Sequence, residues 1–439
     1  MGRASVDITP PLGMPMGGYF SVRLNTGTHD PLYAKAIVLE EDGVETAIVA
    51  CDLLGLPHIF VDAARRTIGE TTHVPADHVI ISATHTHTGP EMSHFFLDLI
   101  EGPPAQVAKD YRVALPGKIA QAVKEAEANL QSTDVWAGIG QEDSLCFNRR
   151  YVMKDGTVGW NPGKMNANIV RPAGPVDPDV SVVYFKGAPS QPLATFVNYP
   201  MHLDTTGGTE FSADYPFTLG KLLAAAKSPE MLTVFTIGTA GNINHINVNS
   251  SEPQSSYQEA SRIGTILASA VLKTYPRLTR VSGPLQVRRE IIKLPIQELP
   301  PGDVEKSWEI VTHAVKQGPE SFAFLDLVRA FKILMIEEYQ GKPIDAEVDV
   351  FSLGRDLAWV GLPGEVFVEL GMAIKHASPF RYTIVDELSS DSIQYVPDRK
   401  AFAEGNYEVV NSLCAPGGGE DLVDAATRLL IGAYKASAE

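Results

Sequence analysis

The sequence predicts an α/β protein with a mixed β-sheet core flanked by helices, and with a helical insertion around residues 303–340. Two observations support this fold class. Short runs of β-branched residues, bounded by turn residues, recur along the 439-residue chain, and amphipathic helical patterns lie between several of them. Such alternation of strands and helices is typical of α/β proteins. The length would allow two domains, but we interpret residues 1–439 as a single domain.

The regular elements are read from hydrophobic periodicity. The predicted strands are Ala36–Leu39, Thr46–Ala50, Val79–Ala83, Val180–Phe185, Leu193–Asn198, Leu232–Ile237, Val348–Leu353 and Leu357–Leu362. The predicted helices are Phe60–Ile68, Val107–Leu130, Tyr215–Lys227 and Tyr257–Tyr275. The stretch Asp303–Tyr339 also has a helical period and lies between two strand-rich regions. Its apolar positions indicate a packing surface or a lid on the main body rather than a cofactor site.

Composition and charge exclude several classes of function. A hydrophobic content of 44% and a charged content of 20% are ordinary for a globular protein. The formal net charge of −17 repels phosphate backbones and anionic membrane surfaces. Nucleic acid is therefore not an expected partner. No apolar run is long enough to span a bilayer, and no leader pattern opens the sequence. We expect a soluble protein. The sequence as written would be cytoplasmic, and the protein would be exported if a leader has been removed. The oligomeric state stays open.

The cysteines restrict the kind of metal site that the chain could form. Cys51, Cys146 and Cys414 are widely spaced and odd in number, which argues against a disulfide framework and against a cysteine zinc cluster. A metal would need other ligands.

Two histidine motifs follow predicted strands. His85 and His87 come directly after Val79–Ala83, and two residues at i and i+2 in extended backbone project to the same side. His202 comes shortly after the predicted strand Leu193–Asn198. Asp204, two residues further on, has a carboxylate that could orient His202. Strand ends are where α/β sheets usually build their sites. Each motif alone is compatible with a metal site or with structural histidines.

Three further segments carry polar groups at the ends of predicted elements. The turn around Gly241, Asn242 and Asn244 contains glycine, which lets the backbone approach a ligand closely. This turn lacks the Lys-Ser/Thr ending of a phosphate-binding loop. Glu365 follows a Pro-Gly turn, where we predict the start of a helix. Tyr395 and Tyr407 lie in a polar, loop-like region; tyrosines there are usually surface residues, but a phenol beside a cation can bind the metal or stabilise an oxyanion.

Taken in order, these segments resemble the neutral (non-lysosomal) ceramidases, zinc amidases that release a fatty acid from sphingosine. The resemblance extends over nearly the whole chain, and the order of the pieces makes it specific. The pieces are VDITPP with the following Gly18 and Tyr19, ATHTHTGP, FNRR, NYPMH, GTAGNIN, LPGE and the two tyrosine segments.

The resemblance implies a set of functional residues, matched position by position. It implies zinc as the cofactor, with the ligands His85, His202, Glu365 and Tyr395. Imidazole and carboxylate are normal zinc ligands, whereas the tyrosine rests on the resemblance alone. It also implies that His87, Arg149 and Tyr407 line the catalytic centre. In this reading a zinc-activated water attacks the amide carbon, His87 transfers the proton to the leaving amine, and Arg149 and Tyr407 stabilise the oxyanion.

Two departures from the ceramidase pattern bear on the substrate. Ceramidases carry a serine where this sequence has Asn244, and Asn cannot act as a nucleophile, although it could hydrogen-bond substrate. The sequence also ends soon after the second tyrosine segment, without the immunoglobulin-like C-terminal domain of full-length ceramidases. The expected substrate is therefore ceramide or another small-molecule or lipid N-acyl compound.

Two alternatives stay open at this stage. One is a zinc hydrolase of an ester, a lactone or another small polar substrate, because a shared fold does not fix the substrate. A long apolar tunnel would favour the lipid, and a shallow polar pocket would favour this alternative. The other is a non-catalytic binding protein that retains a metal. The extra polar residues His87, Arg149 and Tyr407 argue against it, since a structural metal site does not need them.

Overall fold

The computed structural model describes residues 1–437, and its core is built from three mixed sheets. In order across the sheet, the first sheet contains the strands Gly2–Asp7, Tyr33–Glu41, Val44–Cys51 and Val79–Ala83. The second sheet contains Leu232–Ile237, Gln191–Tyr199, Asp179–Gly187, Asp134–Gln141 and Thr279–Val281. The third sheet contains Leu285–Leu294, Ile344–Leu353, Leu357–Gly361 and Tyr382–Asp386. All eight predicted strands correspond to strands of this set, although the predicted strand Leu357–Leu362 is one residue too long, and this confirms the predicted α/β class.

The three sheets share an inner apolar core and carry helices on their outer faces. Successive residues of a strand point to opposite faces, and the strand Val44–Cys51 shows the result: Ile48 and Ala50 join the inner cluster, whereas Val49 and Cys51 pack toward the helices. Burying side chains of this kind on both faces stabilises the fold by roughly 1.5–3 kcal/mol for each large one. The single central sheet implied by the sequence is thus divided into three.

Pairs of helices cover the sheets. His58–Thr71 and Pro103–Ala128 pack on the first sheet, Tyr215–Lys227 and Tyr257–Thr274 on the second, and Val368–Ala377 and Gly418–Ala436 on the third. Each predicted helix appears among them, with slightly different ends. In the described part of the chain, no helix combines the length and the apolar character needed to cross a bilayer. The three cysteines are buried and unpaired.

The predicted helical insertion is a hairpin of two helices, Asp303–Gln317 and Phe324–Glu338. It packs through Phe331 and neighbouring apolar residues on Phe95 and Phe96, which belong to the short helix His94–Leu97. The hairpin therefore covers the side of the main body from which the histidine motifs project.

Short elements complete the fold and position the polar segments. A small sheet contains Val158–Trp160, Arg150–Met153 and Ile169–Pro172. Four pairs of two-residue strands are Pro15–Met16 with Arg23–Leu24, Gly27–Thr28 with Glu210–Phe211, Phe147–Asn148 with Ile243–Asn244, and Glu365–Val366 with Tyr395–Val396. Two short helices are Arg399–Glu404 and Tyr407–Val410. The 3-10 turns are Ala76–His78 and Tyr275–Arg277.

Each of the three main sheets contains one parallel strand pair, and the carboxyl ends of these pairs meet. The pairs are Val44–Cys51 with Val79–Ala83, Gln191–Tyr199 with Leu232–Ile237, and Leu357–Gly361 with Tyr382–Asp386. Backbone hydrogen bonds join the sheets there, for example from the amide of Glu387 to the carbonyl of Ile237. The polar motifs of the sequence follow these strand ends, so the topology brings them together.

Candidate metal centre and active site

The three histidines that follow the first two sheets converge on one point. Nε2 of His87 lies 3.3 Å from Nε2 of His85, and one ligand atom from each of His85, His87 and His202 lies within 4.8 Å of the others. His85 and His202 are buried, and His87 is partly buried. The predicted proximity of His85 and His87 is confirmed, but the predicted extended backbone is wrong. His85 has a φ of 73°, and a turn brings the two rings together.

Backbone carbonyls fix the orientation of each imidazole. Nδ1 of His85 lies 2.7 Å from the carbonyl oxygen of Leu54, Nδ1 of His87 lies 3.1 Å from that of Gly18, and Nδ1 of His202 lies 2.9 Å from that of Ala240. A carbonyl can only accept, so each Nδ1 donates, and a neutral ring then presents the Nε2 lone pair to the centre. This arrangement is the usual one for metal-binding histidines.

Glu365 completes a set of donor atoms around the same point. Its Oε2 lies 3.2 Å from Nε2 of His202 and 3.4 Å from Nε2 of His85, and it has no hydrogen-bond partner among the described residues. Burial and the nearby Arg149 lower the pKa of His202, and burial together with His85 lowers the pKa of His87 to about 3. Neutral imidazoles and a carboxylate that face one another through lone pairs repel unless a cation lies between them. The donor set therefore fits a metal ion, and its nitrogen and oxygen chemistry suits zinc.

Tyr395 is held beside Glu365 by strand pairing. The two residues are Cα partners in the parallel pair Glu365–Val366 and Tyr395–Val396. The helix predicted to begin near Glu365 begins only at Val368, because residues 365 and 366 pair with a neighbouring strand instead. Tyr395 is 3% exposed, so it is not one of the surface tyrosines that are usual in polar, loop-like regions. Burial raises the pKa of Tyr395 well above its ordinary value, which Arg149 partly offsets.

Arg149 and Tyr407 also lie at the centre, beside His202 and Tyr395. Nη1 of Arg149 lies 3.2 Å from Nε2 of His202, and its guanidinium stacks on the rings of Tyr395 and Tyr407 at 5.3 and 5.7 Å. Burial opposes ionisation of Arg149, but Tyr395 and Glu408 more than compensate and raise its pKa. Burial likewise raises the pKa of Tyr407. A charged guanidinium and a protonated phenol, both hydrogen-bond donors, thus lie next to the metal-binding groups.

Two glycines of the recognised motifs allow the segments to pack this closely. A Cβ at Gly18, whose φ is 94°, would lie 2.8 Å from the carbonyl oxygen of His87. A Cβ at Gly241 would lie 2.5 Å from the carbonyl oxygen of Glu365. Any larger residue at either position would displace a segment that carries a donor.

Asn244 is buried but its side chain is engaged with protein groups. Nδ2 donates to Oδ1 of Asn161 at 3.0 Å, and Oδ1 accepts the amide of Ile246 at 3.0 Å. These contacts hold the loop that follows the Gly241 turn. The role of Asn244 in catalysis stays a prediction.

Asp204 does not orient His202, contrary to the expectation from the sequence. The carbonyl of Ala240 does so, because the Gly241 turn lies against His202. Oδ1 of Asp204 instead lies 3.0 Å from Nδ1 of His245, whose Nε2 lies 2.6 Å from the carbonyl of Gln254. With an acceptor at both nitrogens, His245 is an imidazolium, and Asp204 raises its pKa although burial opposes this.

Sequence reasoning missed two carboxylates, Glu408 and Glu387, that hold residues of the site in place. Glu408 accepts hydrogen bonds from Nε of Arg149 at 2.9 Å and from Nη1 of Arg150 at 2.7 Å. Glu387 accepts the amide of Val366 at 2.7 Å; burial and the neighbouring Glu365 raise the pKa of Glu387 well above its ordinary value. The sequence did contain a signal for Glu408, since it adjoins Tyr407 and the two arginines adjoin each other in FNRR.

A cavity of about 250 Å³ opens onto the centre. Its inner wall includes His85, His87, Glu365, Tyr395 and Tyr407. Its outer wall is formed by the short helix His94–Leu97, the end of the helical hairpin and the segment around Asp391. A substrate in this cavity would reach the converging donor atoms.

Solved structures of ceramidases share this fold over 99% of the chain. A neutral ceramidase from Pseudomonas aeruginosa has a TM-score of 0.75 and 18% sequence identity, and the match covers 99% of this chain and 74% of that chain. A ceramidase complexed with C2 has a TM-score of 0.73 and 18% identity, with 99% and 75% coverage. No family model and no curated protein matches the sequence. The resemblance to neutral ceramidases predicted from the sequence is thus confirmed for the fold.

Proposed function

We propose that this protein is a zinc-dependent hydrolase that cleaves the amide bond of an N-acyl compound. The observation that carries the proposal is the convergence of His85, His202 and the unpartnered Oε2 of Glu365 on one point, beside Arg149 and Tyr407. The ceramidase fold of the solved structures supports the same reaction class.

In this proposal His85, His202, Glu365 and Tyr395 hold the zinc. Three of them present lone pairs to a common point, and Tyr395 is fixed next to Glu365 by strand pairing. When bound, the zinc would act as a Lewis acid that polarises the amide carbonyl and activates a water molecule.

His87 is placed to move the proton. Its Nδ1 donates to the carbonyl of Gly18, and its Nε2 lone pair faces the centre, 3.3 Å from Nε2 of His85. Burial and the neighbouring His85 lower the pKa of His87, so the ring is neutral and its Nε2 carries a free lone pair. In the proposed reaction Nε2 of His87 takes a proton from the attacking water and delivers it to the amine nitrogen as the C–N bond breaks, which yields a carboxylic acid and an amine.

Arg149 and Tyr407 are placed to stabilise the negative charge that develops on the carbonyl oxygen. Nη1 of Arg149 points to the centre, while its Nε and Nη2 are held by Glu408 and by the carbonyl of Gly241. Because these contacts exist before substrate arrives, the donor needs no reorganisation during the reaction. The phenol of Tyr407 adds a second donor in the cavity wall. Asn244 stays in the proposal as a residue that supports the adjoining loop.

The test is reversible loss of amide hydrolysis on removal of the metal. Release of amine from a water-soluble N-acyl substrate should stop when zinc is chelated and return when zinc, but not magnesium, is added back. Elemental analysis should find about one zinc per chain. Bound zinc without hydrolysis of any amide would contradict the enzymatic proposal, and absence of zinc after reconstitution would contradict the site itself.

A further inference from the structure

One buried residue of the cavity wall has a side-chain amide without a partner among residues 1–437. Asn411 is 4% exposed and lines the same cavity as the proposed metal-binding groups. Its side-chain amide makes no hydrogen bond to these residues, although its backbone amide donates to the carbonyl of Tyr407 at 2.9 Å. Most buried side-chain polar groups are hydrogen-bonded within the protein. Since this amide borders the cavity, a molecule that binds there can supply its partner.

The position of Asn411 relates it directly to the reaction centre. It follows the short helix Tyr407–Val410 and lies one turn after Tyr407. Side chains at i and i+4 lie on the same face, with Cβ atoms roughly 5–6 Å apart. A substrate whose scissile carbonyl is next to Tyr407 would therefore bring a group only a few bonds away to the amide of Asn411.

Some polar residues of the cavity wall bind one another. Nε2 of His94 lies 2.5 Å from Oε1 of Glu338. Oδ1 of Asp391 accepts the amides of His58 and Ser392. The side-chain amide of Gln394 also lines the cavity, but Gln394 is only partly buried, whereas Asn411 is buried and adjoins the helix that carries Tyr407. We therefore take Asn411 as the amide best placed to bind a ligand near the reaction centre.

The size of the cavity limits the acyl compound. Its volume of about 250 Å³ lies below the roughly 300–1,000 Å³ of sites that enclose drug-sized ligands. Aromatic rings close one side: Phe96 stacks on Phe331 of the hairpin at 4.5 Å, and Phe20 packs on Phe331 at 5.5 Å. An alkyl chain therefore cannot extend on this side without displacing these rings.

We propose, on the basis of the function proposed above, that the site acts on small N-acyl compounds that carry a hydrogen-bonding group, and that the side-chain amide of Asn411 binds that group. The inference names a substrate class and a specificity-determining residue. It predicts discrimination between a hydroxyl and a methyl group of nearly equal size.

The experiment compares amides that differ only in that group. N-propionylpropylamine is the reference, N-propionylethanolamine places a hydroxyl on the amine side, and N-glycolylpropylamine places one on the acyl side. N-decanoylethanolamine tests chain length. Release of amine by the zinc-loaded full chain gives kcat/KM for each compound.

We expect at least one hydroxyl compound to exceed the reference by about tenfold or more, since sites built to hydrogen-bond a hydroxyl reject the analogue that lacks it. Asn411→Leu should remove this preference, so that the hydroxyl compounds and N-propionylpropylamine are hydrolysed with similar kcat/KM. Asn249→Leu, at an exposed amide, should leave the preference intact. N-decanoylethanolamine should be a poorer substrate than N-propionylethanolamine.

Several results would overturn the inference. These are equal rates on the hydroxyl and methyl compounds, a preference that survives Asn411→Leu, or a higher rate on the decanoyl compound. If Asn411→Leu does not fold, the rates of the wild-type protein on the hydroxyl and methyl compounds still test the proposed substrate class. If the zinc-loaded protein hydrolyses none of the four amides, the proposed function fails and this inference fails with it.

Discussion

Glu408 accepts a hydrogen bond from Nε of Arg149 at 2.9 Å, and its carboxylate is completely buried. The same carboxylate binds Arg150. Glu408→Gln should therefore leave the buried guanidinium of Arg149 without its ion pair and Arg150 with Glu404 alone, at a cost of about 3–5 kcal/mol in the free energy of unfolding. Turnover should fall by roughly 10–100-fold, since Arg149 loses its orientation.

Denaturant unfolding and amide hydrolysis check this expectation. The matched control is Glu404→Gln, because Glu404 binds Arg150 from a partly exposed position and should cost less than about 1 kcal/mol. Equal effects of the two substitutions would mean that the buried carboxylate has no special role.

His85 and His87 should separate metal binding from proton transfer. We expect His85→Ala to lose both the zinc and the activity. His87→Ala should retain zinc and lose roughly 10²–10⁴-fold in kcat, as expected for removal of a general base. Zinc content by elemental analysis and kcat on the same preparations are the measurements. Loss of zinc in His87→Ala would instead make His87 a metal ligand.

Zinc should also stabilise the folded protein. A ligand that binds only the native state adds about 4 kcal/mol to the free energy of unfolding at a thousandfold excess over Kd. Thermal unfolding with and without a chelator measures the effect. The chain has a second, surface group of Glu45, His73 and Glu127 that could bind a cation. His73→Ala should leave the zinc-dependent rise in Tm intact, and a loss in this variant would place the stabilising ion at the surface.

Replacing Asn244 by the serine of ceramidases should not increase activity. Both polar atoms of Asn244 are used by Asn161 and Ile246. We expect Asn244→Ser to lower the free energy of unfolding by about 0.5–2 kcal/mol, the usual effect of losing such hydrogen bonds. The rate on N-propionylethanolamine should change by only a few fold. A large gain in rate would show that position 244 reaches the substrate.

Asp386 should make the protein less stable as the pH rises. It is buried where the second and third sheets meet, and it accepts hydrogen bonds from Asn198 at 2.8 Å and Thr236 at 2.5 Å. Burial raises its pKa to about 7. Since the folded-state pKa exceeds the unfolded value of roughly 3.9, the stabilising contribution is fully present below about pH 4 and is lost as the pH rises to about 7.

Asp386→Asn should remove this dependence. Relative to the wild type, the variant should gain about 2–4 kcal/mol in the free energy of unfolding at pH 8 and nothing at pH 4. Urea unfolding in the presence of a chelator, at both pH values, avoids any contribution from metal binding. A constant difference between the two proteins across this range would contradict the titration of Asp386.

The sequence predicted the elements of the fold better than their arrangement. Period-2 and period-3.6 patterns identify strands and helices because burial depends on local spacing. They do not reveal that the strands form three sheets, since sheet membership depends on pairing between distant segments. The backbone at Glu365 shows the same limit. A Pro-Gly turn followed by an apolar run suggested a helix, but pairing with Tyr395 extends those residues.

The candidate site was predicted as a set of residues, whereas its supporting contacts were not. Family resemblance grouped His85, His202, Glu365 and Tyr395; the structure brings donor atoms of His85, His202 and Glu365 close together and pairs the strand of Tyr395 with that of Glu365. The orientation of His202 by Ala240 involves a backbone carbonyl, which no residue type can signal in a sequence. Asp204 looked like the orienting group because it is close in sequence, but His245 is its partner in space.

The parallel strand pairs at which the three sheets meet also constrain the order of events during folding. The groups that we propose as metal ligands come from the first, middle and last parts of the chain, and contacts between such distant segments form late because they require closure of long loops. Under this proposal, a nascent chain could not acquire the ion until the segment around Tyr395 had left the ribosome. Metal uptake would report completed assembly of all three sheets, and a chain truncated before that segment would remain without the ion even if its first two sheets had formed.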